Sequence, residues 1–246
     1  MEEGICKLCL KESLLCKSHI IPERVYKPMY DEKHELLEFR PDHPYKFQGS
    51  KPKGYYEYLL CRDCEDHIKK YEEYGEDIFF PLNKEKYIIT SNGDFYQFNN
   101  LDYKKTKLLI LSILWRMSIS SLEIFNDVDL GLSEERLRQI ILYEKTPDFK
   151  DYPVLLVIPT VAGEIMQGWI MEPDVLFKNN IPVYRLLIGG LLFTIATKFD
   201  VFKKNVLEQC VLKPKESWLV PLYEHTKIPF IQSWFDANFD ELKKMN

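Results

Sequence analysis

Apolar and polar positions follow several rhythms along this chain, and each predicts a different kind of element. From Lys104 to Ser121 the apolar positions 108–111, 113–115 and 117 leave almost no polar stripe, which predicts a helix buried between other elements, with Trp115-Arg116 in its C-terminal half. A second helix is predicted from Ser133 as N-cap to about Tyr143. It has an acidic first turn, Glu134-Glu135, and inward positions 137, 140 and 141, and it stops before Pro147. The stretch CRDCEDHIKKYEEY reads as a helix starting at a cysteine pair, and a last amphipathic helix is expected from about Ser233 to Lys244, ending in Lys243-Lys244. Aromatic, aliphatic and β-branched runs predict strands elsewhere. KYIITSNGDFYQF reads as a hairpin turning at Asn92-Gly93; YPVLLVIPT, the stretch Met166–Met171 and PVYRLLIGGLLFTIATK read as a buried sheet, with Gly189-Gly190 marking a bend or bulge. Prolines 28, 41, 44 and 52 sit in a charged middle segment that reads as a long loop or hairpin insertion. The expected class is α+β, with an N-terminal unit over 1–75 and a mixed helix and sheet domain over 76–246.

Composition narrows this picture. With 246 residues and 46% apolar content the chain can bury a sizeable core, and 15 Tyr, 15 Phe and four Trp against only 10 Gly exclude a low-complexity chain. No stretch reaches the roughly 18 to 20 uninterrupted apolar residues of a spanning helix, and MEEGICKLC has no signal-peptide character, so no membrane association and a cytoplasmic location are expected. The net charge is −5; residues 1–70 carry equal numbers of basic and acidic side chains, so the excess acidity lies downstream and any polyanion contact is expected near the N-terminus.

The six cysteines change the reading most. Four form two pairs, Cys6-Lys7-Leu8-Cys9 and Cys61-Arg62-Asp63-Cys64, and this spacing lets two thiolates on one tight turn grip the same tetrahedral ion. Zn²⁺ held by Cys6, Cys9, Cys61 and Cys64 is therefore expected. Such a closed site has no open position, so its metal would be structural. A knuckle followed by a helix that begins at the second pair is the arrangement of a treble clef. Cys16 and Cys210 stand apart and read as small buried hydrophobes.

The order CxxC, then Ser18-His19-Ile20-Ile21-Pro22, then Leu59-Leu60-Cys61-x-x-Cys64 entering a helix resembles the zinc-containing branch of the HNH, or ββα-metal, endonucleases over about 70 residues. The resemblance implies that His19 is the general base for phosphodiester hydrolysis and that a catalytic Mg²⁺ or Mn²⁺ lies beside it. The family's metal-binding Asp corresponds to Ser18 and its metal-binding His to Glu65. GYYEYLLC carries no Asn at the orienting position. A serine hydroxyl is a poor ligand for a hard cation, so Glu65, with Ser18 or nearby His67 or Asp66, becomes the expected second-metal set. The chain also resembles a group of bacterial proteins in which an SHIIP-type zinc module precedes a Leu-rich helix with Trp-Arg. HNH-like proteins of this kind often occur in bacterial defence or on mobile elements.

The charged middle adds a candidate nucleic-acid surface. Arg24, Lys27, Arg40, Lys46, Lys51 and Lys53 alternate with tyrosines in the mixture used to track phosphates and stack bases, although acidic residues from Asp31 to Asp42 dilute it. Arg116 on its apolar helix is expected to form a structural ion pair. The expected function is an HNH-like metal-dependent nuclease acting on DNA or RNA. The alternative is a non-catalytic zinc module that binds nucleic acid or a protein partner.

Overall fold

The computed structural model describes residues 2–26, 35–36, 51–52, 54–80, 82, 87–90, 93–203 and 206–242. Its class is mixed α and β. Strands β1 (Glu2–Ile5), β2 (Glu12–His19) and β5 (Tyr56–Cys61) form a small antiparallel sheet in the order β1-β2-β5. The short helix α1 (Glu23–Tyr26) follows β2, and β3 (Glu35–Leu36) pairs with β4 (Lys51–Pro52) before β5. Helix α2 (Arg62–Phe79) starts directly at the end of β5.

The remaining strands are β6 (Tyr87–Thr90), β7 (Gly93–Asn99), β8 (Val154–Val161), β9 (Glu164–Ile165), β10 (Asp174–Lys178), β11 (Ile181–Ile188), β12 (Leu191–Ala196) and β13 (Ser217–Glu224). They form one sheet in the order β10-β11-β12-β8-β13-β7-β6, with β9 on β8; among the described residues, only β13 and β8 run parallel. Period-two patterning assigns its faces. Leu191, Phe193 and Ile195 of β12, with Val154, Leu156 and Ile158 of β8, join the main core, whereas Leu192 and Val157 between them join a second cluster around Ile231 and Trp234. Both faces are covered, which is why β8 is buried along nearly its whole length and reads as a continuous apolar run.

Helix α3 (Tyr103–Ser118) is buried at every position from Thr106 to Met117, which its nearly complete apolar surface predicts for 108–111, 113–115 and 117 and which the fold extends to Thr106, Lys107, Ser112 and Arg116. The Asp102 carboxylate accepts from Lys105 N–H at 3.0 Å and caps its start. Helix α4 (Ser133–Leu142) packs its Leu137, Ile140 and Ile141 inward, and α5 (Pro229–Leu242) covers the far face of the sheet.

Several local expectations are corrected. The chain cap of α4 is Leu132, with no side-chain hydrogen bond, and Ser133 is already helical. Thr90 pairs with Gly93, so Gly93 opens β7 instead of occupying the turn. Met166–Met171 is not a strand; it follows β9 as an irregular segment. Gly189 and Gly190 form the two-residue turn between the paired Ile188 and Leu191, with φ of 63° and 85°, and a Cβ on Gly190 would come within 2.1 Å of the Met166 carbonyl oxygen. Helix α5 begins at Pro229, before Ser233, and Lys243-Lys244 lie outside the described residues.

The boundary placed at 75/76 falls inside α2. There, α2 buries Ile68, Tyr71, Gly75 and Phe79 along one stripe, and an added Cβ on Gly75 would come within 2.2 Å of Leu109 Cδ2 of α3. A single buried cluster runs from Cys6 through Leu109 to Val220, so the N-terminal unit and the large sheet share one core. Among the described residues, no helix is long and apolar enough to cross a membrane.

Candidate metal centre and the adjoining cleft

The tight turn between β1 and β2 places Cys6 and Cys9 on one side of the small sheet. Cys6 N–H donates to Lys11 O at 2.9 Å and Leu10 N–H to Cys6 O at 2.8 Å. Closing this turn puts Leu10 at φ 62°, a conformation glycine adopts at little cost and a leucine does not. The second pair straddles a strand-to-helix junction, Cys61 at the end of β5 and Cys64 in the first turn of α2. Lys7 N–H donates to Leu59 O at 2.9 Å and Cys61 N–H to Cys6 Sγ at 3.3 Å, which locks the two turns together.

The four Sγ atoms lie within 4.8 Å of one another, with Cys9 and Cys61 sulfurs 3.9 Å apart. Tetrahedral Zn–S bonds of about 2.3 Å require sulfur separations of about 3.8 Å. Four cysteines are thus positioned to hold a metal ion, and the geometry is compatible with structural zinc. The hydrogen bond from Cys64 draws the Cys6 thiol down to about 4, while the same contact and burial push Cys64 up. One sulfur therefore carries negative charge readily, and a cation would release the protons held by the others. Arg138 of α4 donates to Leu8 O at 2.5 Å, so the knuckle is also held from the helical layer.

Beside this centre lies a cleft of about 340 Å³, bounded by Cys16, Lys17 and His19 on β2, by Pro22 and Glu23, and by Arg62, Glu65, Asp66, Lys69, Glu72, Glu73 and Glu76 along α2. His19 and Glu65 therefore face a common space. The His19 ring packs edge-on to Tyr56, with centroids 6.1 Å apart. Glu65 is half-buried and its Oε1 has no hydrogen-bond partner. Burial pushes its carboxyl up, against the Ser18 hydroxyl and the Arg116 guanidinium, which draw it down.

Ser18 is fully buried, and its Oγ accepts the Leu60 N–H at 3.1 Å. His67 does not border the cleft: its Nε2 donates to Ile141 O at 2.9 Å, and its Nδ1 lies 3.5 Å from Glu144, at the seam between α2 and α4. Among the described residues, the four-cysteine cluster is the one group of three or more His, Cys, Asp or Glu side chains converging as metal ligands. Lys27, Arg40, Lys46 and Lys53 lie outside the described residues, as do the side chains of Arg24 and Lys51. Cys210 is buried in the core, whereas Cys16 is half-buried at the cleft edge.

Arg116 holds the expected buried ion pair, its Nη1 2.6 Å from Glu72 Oε1. The same nitrogen donates to His19 O at 2.6 Å, a contact that spacing along the chain did not reveal. Glu72 and Arg138 likewise carried no sequence signal, because their partners are distant in sequence.

No family model matches this chain, and no curated protein or solved structure matches it.

Proposed function

We propose that this chain is an HNH-like nuclease in which a treble-clef module, stabilised by zinc on Cys6, Cys9, Cys61 and Cys64, carries a metal-assisted site for hydrolysis of DNA or RNA. The observation that carries the reading is Glu65. A half-buried carboxylate oxygen without a hydrogen-bond partner, in the cleft that His19 borders, is what a hard cation would satisfy. Mg²⁺ commonly takes one or two protein carboxylates and completes its shell with water and substrate phosphate. Asp66 and Glu72 border the same space.

When bound, the ion would supply Lewis-acid stabilisation of the leaving oxygen. His19 takes the proton from the attacking water, and its main chain is held from both sides to keep the ring in place. Ser18 serves the frame: its hydroxyl binds the Leu60 N–H next to Cys61, which ties the His19 strand to the metal centre.

A second reading is favoured by charge. Six carboxylates and three cations border the cleft, so in the absence of a bound cation it repels a polyanion. On that reading the zinc module binds nucleic acid through another surface, or binds a protein, and cleaves nothing.

The test is cleavage of plasmid and RNA by the zinc-loaded full chain in Mg²⁺ or Mn²⁺, beside His19→Ala and Glu65→Gln. Loss of at least about 100-fold in His19→Ala with unchanged zinc content supports the nuclease. Equal cleavage by that variant sinks it, as does no cleavage in either metal; retardation of nucleic acid without cleavage would establish the second reading.

A further inference from the structure

We propose that Arg116 is the positioning residue of the His19 site, so that a helix beyond the cysteine module completes it. This rests on the nuclease reading for its kinetic consequence, while its structural part stands separately. Arg116 is 1% exposed on α3 and reaches three groups on three elements: His19 O at the end of β2, Glu72 Oε1 on α2, and Ser112 O of its own helix at 3.3 Å. A buried guanidinium is costly to desolvate, and an apolar residue at such a position often stabilises a fold equally well. Every neighbouring position from Leu108 to Leu111 and from Ile113 to Trp115 is apolar, so packing alone gives no reason for a charge at 116.

What the charge accomplishes is local. His19 O is bound by Arg116 Nη1, and the next amide, Ile20 N–H, donates to Tyr55 O at 3.0 Å. The peptide unit that follows His19 is thereby fixed at both ends, and Ile20 and Ile21 are buried behind it. The imidazole projects from a clamped backbone into the cleft that also holds Glu72, the other partner of Arg116. Through one guanidinium, the strand bearing the base and the helix bearing the carboxylates are set at a fixed separation. Loosening this clamp shifts a general base relative to its substrate, and a misplacement of about 1 Å can cost about 100-fold in rate.

The experiment compares wild type, Arg116→Met and Arg116→Lys as zinc-loaded full chains. It reads single-substrate cleavage kinetics together with amide hydrogen exchange. Arg116→Met is expected to lower kcat about 100-fold with KM within about threefold. Its amides over 18–21 should exchange at least roughly tenfold faster, with exchange in β11 and β12 and the zinc content unchanged. Lysine keeps the charge but not the fork, so Arg116→Lys should recover roughly tenfold of the lost kcat and part of the protection. Unchanged exchange over 18–21 in a folded Arg116→Met protein overturns the proposal, as does an unchanged kcat where wild type cleaves. If wild type cleaves nothing, the nuclease reading falls and the exchange data still decide whether Arg116 holds His19. If Arg116→Met fails to fold, Arg116→Lys decides in its place: wild-type kcat and wild-type exchange in that variant overturn the proposal.

Discussion

Ser18 Oγ accepts the Leu60 N–H at 3.1 Å between two fully buried residues of β2 and β5, one residue before Cys61. The hydroxyl completes the pairing of β2 with β5. Ser18→Ala leaves a buried amide without an acceptor and is expected to cost about 1–3 kcal/mol of stability. Chemical denaturation of the zinc-loaded protein measures it, and a loss under about 0.5 kcal/mol would show that water or Glu65 replaces the hydroxyl.

Leu10 closes the first knuckle at φ 62° and is 56% exposed, so its side chain contributes little packing. Leu10→Gly removes the left-handed penalty of roughly 1–2 kcal/mol and gives back part of it as unfolded-chain entropy. The net expectation is a gain of about 0.5–1 kcal/mol with slower zinc release to a chelator. Faster release would refute it.

Removal of the metal should be all-or-none for the small sheet. One zinc per chain is expected by elemental analysis. Cys64→Ser, at a buried position in the first turn of α2, should abolish stoichiometric binding and lower Tm by roughly 10 °C or more. Of the four clustered sulfurs, half-buried Cys9 is the one a thiol reagent should reach first in the metal-depleted protein, which mass spectrometry of the modified peptides can check.

Lys107 is fully buried on α3 and donates to Tyr152 O at 2.6 Å, and burial lowers its amine to about 7 from 10.5. Below about pH 7 the amine is charged in both the folded and the unfolded chain, and the whole desolvation cost is present. Between about 7 and 10.5 only the unfolded chain stays protonated, so stability rises with pH across that window. The cost present at low pH and relieved across this window is on the order of 5 kcal/mol. Lys107→Met should flatten the rise and, after losing the bond to Tyr152 O, add on the order of 2 kcal/mol near pH 6. Urea titrations at pH 6 and pH 9 test this; an equal slope in both proteins would sink it.

Gly75 lets α2 approach α3, since an added Cβ would sit 2.2 Å from Leu109 Cδ2. Gly75→Ala adds helix propensity but forces a core leucine aside, and the clash is expected to win by about 1–3 kcal/mol. A Tm equal to or above wild type would show that Leu109 rotates freely into space.

The sequence by itself determined the elements whose signal is local. The spacing of Cys6 to Cys9 and of Cys61 to Cys64 announced four cysteines positioned to hold a metal ion, because ligand spacing is set within one turn. The near-continuous apolar surface of α3 announced a helix buried between other elements, and the dense aliphatic run of β11 and β12 announced a buried sheet. Tertiary structure alone decided the rest, because the interactions join residues with no shared periodicity. His67 and Glu65 lie two residues apart on α2, yet one turns to α4 and the other to the cleft, a consequence of the 3.6-residue helical turn and of what packs on each side. Gly75 lets α2 approach Leu109 of α3 within the one buried cluster that joins both parts of the chain, which no boundary signal could report. Arg116 found His19 across 97 residues, because its Nη1 meets the carbonyl and the carboxylate that the fold brings within reach.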